Sequence, residues 1–171
     1  DLRGARSVRR PAGVARRDGS KDGGTAGLVA VFTGLGSLTY GELAGERMKL
    51  GLMIHDPEEE HDCFSDNTHA SHFFDLVGIR NIYLGSYTRP DGSVVSGPSV
   101  SGLVKAKSPE TDSAVRAALE IAIVKMTALS DRAKAGEAYD QMIGENNPEG
   151  NAIVQAAIDA LIAQAKTFET A

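Results

Sequence analysis

Residues 108–135 read SPETDSAVRAALEIAIVKMTALSDRAKA. Ser108 is a favoured helix N-cap, and Pro109 suits the first helical position, where its missing N–H would lack an intrahelical partner anyway. Glu110 and Asp112 then place negative charge near the positive end of the helix dipole. Beyond this start, Val115, Leu119, Ala122, Ile123, Met126 and Leu129 recur at helical spacing and predict one core-facing stripe. The stretch therefore predicts a helix from about Pro109 to Ala135.

The same start recurs elsewhere. Asn147-Pro148-Glu149 opens a helix expected to run to Phe168, with Ile153, Ala156, Ala157, Ala160, Leu161 and Phe168 on one face and Val154, Ile158 and Ile162 widening it. Asp56-Pro57-Glu58 carries a third start. A further helix is expected from near Phe64 to Asp66 as far as Gly85, because Phe73, Leu76, Val77, Ile79, Arg80, Tyr83 and Leu84 form a wide band. Residues 25–54 read as helical with an interruption: Leu28, Val31 and Phe32 precede a loosening at Gly34, Gly36 and Ser37. A longer helix is then expected, with Leu43, Met48, Leu50 and Leu52 as its apolar residues. Residues 137–143, EAYDQMI, predict a short helix ended by Gly144. Residues 86–104 change character: Pro90-Asp91-Gly92 is a turn and Val94-Val95 a minimal strand. They predict a small hairpin or ordered loop. About four main helices with short connections imply an all-α antiparallel bundle.

Composition agrees. Aromatics make up 5 % of the 171 residues and there is no Trp, which suits closely packed helices better than a β-sandwich. No apolar run approaches the roughly 18 residues that span a bilayer. A single Cys excludes an internal disulfide. Residues 1–24 carry seven Lys/Arg against three Asp, and the remainder 11 Lys/Arg against 20 Asp/Glu. The acidic body argues against nucleic acid as a partner. Residues 1–24, with almost no large apolar side chains, are expected to form a disordered basic leader to a bundle domain at 25–171. The opening Asp1 is no natural initiator, so a processed or partial chain is expected.

Candidate chemistry concentrates in residues 58–69, EEEHDCFSDNTH. This segment has few apolar residues yet lies between apolar ones. It reads either as the polar lining of a site or as a solvated acidic loop. The lining candidates are Glu60, His61, Ser65, Asp66, Asn67 and His69, joined by Glu42, Glu46 and Arg47 from the preceding helix. Glu42 and Glu46 lie one helical turn apart, as do Ser65 and His69, so each pair can present one face to the other. Arg47 can neutralise a carboxylate between them. Carboxylate and imidazole together suit iron, manganese or zinc, with His61, Asp66 and His69 as the metal candidates. They equally suit a metal-free polar network. His55-Asp56-Pro57-Glu58 has a bare HxxE spacing, but Pro57 places His55 ahead of the helix start and removes the one-turn geometry. Cys63 has no base fixed beside it and reads as an inert thiol.

Two longer motifs carry a resemblance. GELAGERM at 41–48, followed by EEEHDCFSDNTH at 58–69, resembles the C-terminal half of the imelysin-like family, also called peptidase M75 or iron-regulated envelope proteins. IRNIYLG at 79–85 and AGEAYDQMI at 135–143 continue the likeness, which spans roughly residues 27–168. The resemblance implies a bacterial periplasmic or envelope protein linked to iron uptake. It implies a fold of two helical bundles with a site between them, and hence two kinds of partner: an N-terminal bundle and envelope iron-uptake components. The family's GxHxxE signature belongs to that N-terminal half, which the resemblance implies is absent here. Gly51 stands four residues before His55 rather than two, so the local HDPE does not match. Metallopeptidase activity is the alternative implied by the family's peptidase name, and a structural bundle acting through a partner is a third reading.

Overall fold

The computed structural model describes residues 24–171, so the expected leader at 1–24 lies almost wholly outside the described residues. The described residues fall into two units, divided between Gly34 and Leu35. Of the first, the described part is the opening of helix α1 (Thr25–Gly36).

The second unit is an all-α bundle. A π-helical segment, Ser37–Lys49, leads into the short helix α2 (Leu50–Ile54). A 3-10 turn at Pro57–Glu59 and a loop follow. Next come α3 (Thr68–Leu84), the strands β1 (Ser86–Thr88) and β2 (Val94–Ser96), α4 (Val100–Lys107), α5 (Pro109–Lys134), α6 (Tyr139–Ile143) and α7 (Pro148–Glu169). Helix α5 packs on α7, α3 and α4, and α7 packs on the π segment. The strands form one antiparallel hairpin with Tyr87 opposite Val95.

The cap grammar sets the long helices. Ser108 Oγ accepts from Thr111 N–H and Asn147 Oδ1 from Gly150 N–H, each with Pro at the first helical position. Val115, Leu119, Ala122, Met126 and Leu129 are buried on α5, as the spacing predicts. On α7 the buried set is Val154, Ala157, Ile158, Ala160, Leu161, Ala165 and Phe168. Each large aliphatic side chain so enclosed contributes roughly 1.5–3 kcal/mol of transfer free energy.

The structure departs from sequence expectation in five places. The helix starting at 25 is not broken at Gly34–Ser37; instead its hydrogen-bond ladder widens to i→i−5 from Ser37 on. Leu50, one of the apolar residues expected on the second helix, is 39 % exposed. Asp56-Pro57-Glu58 starts only a three-residue 3-10 turn, although Asp56 caps it as predicted by accepting from Glu58 N–H. Helix α3 starts at Thr68 rather than near Phe64 to Asp66, because Asp66 adopts φ +49°, which no right-handed helix accommodates. In addition, α4 lies within and just beyond the segment read as hairpin or loop, capped by Ser99 Oγ on Gly102 N–H.

A buried polar cluster ties three of these helices together. Asp112 on α5 accepts from Tyr83 Oη of α3 at 2.9 Å, from Ser101 Oγ of α4 and from Arg116 Nε at 2.9 Å. Burial alone would raise the Asp112 pKa, but hydrogen bonds from Ser101, Tyr83 and Arg116 outweigh it and hold the carboxyl below its usual range. Every partner is satisfied, so the cluster reads as architecture rather than chemistry.

Candidate functional site

The polar stretch 58–69 forms an irregular loop pinned at both ends. At its start, His55 has φ +54°, and its Nδ1 lies 2.7 Å from the Ile143 carbonyl oxygen, bonding α6. That bond ties the start of the loop to α6. In the middle, Glu60 is 6 % exposed, and its Oε2 accepts from Thr68 Oγ1 at 3.0 Å. Thr68 Oγ1 in turn accepts from Asp62 N–H at 2.9 Å. Burial raises the Glu60 pKa; the Thr68 hydrogen bond opposes this, and the charges of Asp140, Asp66 and Asp62 add to it.

Between these pins the loop is outward-facing. His61, Phe64, Ser65, Asp66 and Asn67 are exposed, with Phe64 as accessible as an isolated side chain at 105 %. Ser65 Oγ donates to the Asp62 carbonyl at 3.3 Å. Ser65 precedes the start of α3, so its expected one-turn stacking on His69 does not arise.

The carboxylates from the preceding helix are arranged differently from expectation. Glu42 and Glu46 are both exposed and do not face a polar interior. An i→i−5 ladder has a wider turn than an α-helix, which brings Arg47 close to the face that carries Glu42. Arg47 Nε accordingly donates to Glu42 Oε1 at 3.0 Å. Its Nη1 donates to Asp75 Oδ2 of α3 at 2.8 Å, joining the π segment to α3. The Arg47 anchor is thus Asp75, a residue outside the expected set.

Sequence reasoning also passed over His72. It is wholly buried, and neither ring nitrogen has a hydrogen-bond partner. Its ring centroid lies 6.4 Å from that of His61 and 5.2 Å from that of Tyr139, which it meets edge-on at 90°. Burial, then the positive charges of Arg47 and His61, lower its pKa to about 3, with Asp62 opposing. Its position one turn after Thr68 and three residues after His69 was visible in the sequence. Three residues apart on α3, His69 and His72 fall on neighbouring positions. Tyr139, from the short α6, is 1 % exposed; burial, then the charge of Glu60, push its pKa up. Its hydroxyl and His69 Nδ1 are likewise buried without a partner.

The structure thus brings Glu60, Thr68 and Asp62 together, and Arg47, Glu42 and Asp75 together. His61 comes beside His72. Glu46, Ser65, Asp66 and Asn67 stay at the surface. A protein-held iron or other divalent ion needs several converging oxygen and nitrogen donors. Among the described residues, no group of three or more His, Cys, Asp or Glu side chains is placed to hold one. His61, Asp66 and His69 therefore do not fit such an ion in this arrangement. Among the described residues, no helix is long and apolar enough to cross a membrane.

A family model described as imelysin, peptidase M75, matches residues 7–168. The match begins twenty residues ahead of the span expected from the motifs and takes in most of the segment set apart as a leader. Comparison with curated proteins gives no match.

Proposed function

The chain belongs to the imelysin family, which covers it over residues 7–168, and from that premise we propose that it is a binding module of the bacterial envelope whose loop at 60–67 docks a protein partner in iron uptake. One observation carries the reading. Phe64 is fully exposed on a loop whose backbone is fixed by the buried Glu60–Thr68–Asp62 bonds. A solvated acidic loop has no need of buried pins. An exposed aromatic among Ser65, Asp66 and Asn67, held on a fixed frame, has the make-up of an interface anchor with a polar surround. A preset loop also loses less entropy on docking.

The envelope setting and the iron link come from the family. In this reading the domain acts on iron through its partner, either a second helical bundle or an envelope iron-uptake component, because the loop's own donors do not converge. Peptide hydrolysis by a metal-bound water needs three protein ligands and a base around an open position. The described residues offer no such group, so the binding reading is preferred to the metallopeptidase one.

The test is site-specific photo-crosslinking from position 64 in bacterial cells grown with and without iron. The expected result is a discrete cross-linked species, identified by mass spectrometry as an imelysin-type bundle or an envelope iron-uptake protein, and lost in Asp66→Lys. Absence of any cross-link from position 64 in cells carrying folded protein would overturn the reading.

A further inference from the structure

Four buried polar atoms on three side chains of α3 and α6 have no hydrogen-bond partner: His69 Nδ1, both ring nitrogens of His72, and Tyr139 Oη, with the His72 and Tyr139 rings in contact. His72 is 0 % and Tyr139 1 % exposed, so bulk solvent does not serve them. Natural proteins rarely leave such atoms unpaired. Where they occur together, an ordered internal molecule commonly completes their hydrogen bonds.

The chemistry of the lining sets the class of that molecule. A neutral imidazole presents one donor and one acceptor, and a phenol can do both. Burial holds His72 neutral and the Tyr139 phenol protonated. A metal ion is disfavoured, because among the described residues no third His, Cys, Asp or Glu is placed to hold one with the two histidines. An anion is disfavoured, because the Glu60 carboxylate, which already acts against ionisation of Tyr139, would act against it too. The His72 and Tyr139 rings already touch edge-on, with centroids 5.2 Å apart, so a guest that reaches the polar atoms of both must be very small. The matching guest is a small neutral molecule that both donates and accepts.

We propose that His72 and Tyr139, with His69 beside them, form an internal water site that bridges α3 to α6. The water accepts from one of these groups and donates to another. It joins the two elements across a contact that has no direct hydrogen bond between these side chains. The site is separate from the docking loop and stands whether or not that loop binds a partner.

The experiment is a crystal structure of the full chain at a resolution that shows ordered water, with oxygen-17 magnetic relaxation dispersion on the same protein in solution. The expected result is a water at about 2.6–3.2 Å from Tyr139 Oη and a His72 ring nitrogen, and a long-lived water signal that weakens in Tyr139→Phe. The melting temperature of that variant should fall by about 2–4 °C, the size of one lost hydrogen bond in a chain of this length. A dry contact, or a direct protein partner on both groups, would overturn the proposal. So would a Tyr139→Phe variant that melts higher than the parent, since that is the result of deleting a hydroxyl that had no partner. If the variant does not fold, the parent crystal structure and dispersion profile decide the matter alone.

Discussion

Thr68 Oγ1 donates to Glu60 Oε2 at 3.0 Å while accepting from Asp62 N–H at 2.9 Å, so one hydroxyl holds both the carboxyl and the backbone of the loop. Thr68 is also the first residue of α3, which transmits the helix's position to the loop. Thr68→Val keeps the shape and removes both bonds. The expected loss is about 2–3 kcal/mol, because a buried carboxyl and an amide are left unpaired. Urea denaturation measures the loss, and hydrogen exchange at the Asp62 amide should rise. Thr68→Ser, which keeps the hydroxyl, should recover most of the protection. Equal stability of the Val variant and the parent would show that the pin does not fix the loop.

A second prediction concerns the Asp112 cluster. Asp112→Ala strands the buried Tyr83 and Ser101 hydroxyls, while the half-exposed Arg116 turns to solvent, and should cost about 2–3 kcal/mol. Tyr83→Phe removes a single donor and should cost about 1–2 kcal/mol. The two losses share a bond, so the double variant should be less destabilised than the summed singles. Thermal melts of the four proteins close the cycle, and additive losses would refute the shared bond. The depressed pKa of Asp112 adds a sign: its contribution is present above 3.8, its unfolded value, and is lost as pH falls through the lower folded one.

Gly85 offers a backbone test. It ends α3 at φ +62°, and a Cβ there would stand 2.7 Å from Ser99 Cβ and 2.9 Å from the Pro98 carbonyl oxygen. Left-handed backbone and close contact act together, so Gly85→Ala should destabilise by about 2–3 kcal/mol or more. Gly92, also at positive φ (+81°) but with open space around it, should lose only about 1 kcal/mol. Similar melting points for the two variants would remove the steric part of the argument.

The long helices were legible because caps and periodicity agree locally: Ser108-Pro109 and Asn147-Pro148 act where the sequence places them. The π segment was not legible. Leu43 and Met48, with Leu52 of α2 beyond, fit an α-helix nearly as well, and nothing in their local pattern records that the segment packs on α7. Along this segment Glu42 pairs with Arg47, where a shared face with Glu46 was expected. Helix α4 was hidden because VSGLVKAK is short and opens in a Ser- and Gly-rich stretch that reads as loop. Within the site, loop polarity pointed to Glu60 and His61. Burial of His72 and Tyr139 depends on α6 meeting α3, which no local pattern records.

The last prediction follows from that burial. His72 has an ordinary pKa of 6.5 that the fold lowers to about 3, chiefly through burial and then through Arg47 and His61. A lowered pKa in a group that becomes positive means that the unfolded chain binds the proton first. Above 6.5 both states hold His72 neutral, and the shift has no effect. As pH falls from 6.5 towards 3, the unfolded chain gains a proton that the folded one refuses, so stability is lost across that window at roughly 1.4 kcal/mol per pH unit. Glu60 acts with the opposite sign. Its raised pKa gives a contribution fully present below 4.5 and lost as pH rises through the folded value. The two overlap, so wild-type stability alone does not separate them. His72→Gln does: it keeps a neutral donor and acceptor, cannot titrate, and leaves Glu60 in place. Urea denaturation of both proteins between pH 7.5 and 5 should show the parent losing about 2 kcal/mol more than His72→Gln, with the divergence beginning near pH 6.5. Parallel profiles would mean that the folded protein takes up the His72 proton as readily as the unfolded chain, and that the ring is not sealed between α3 and α6.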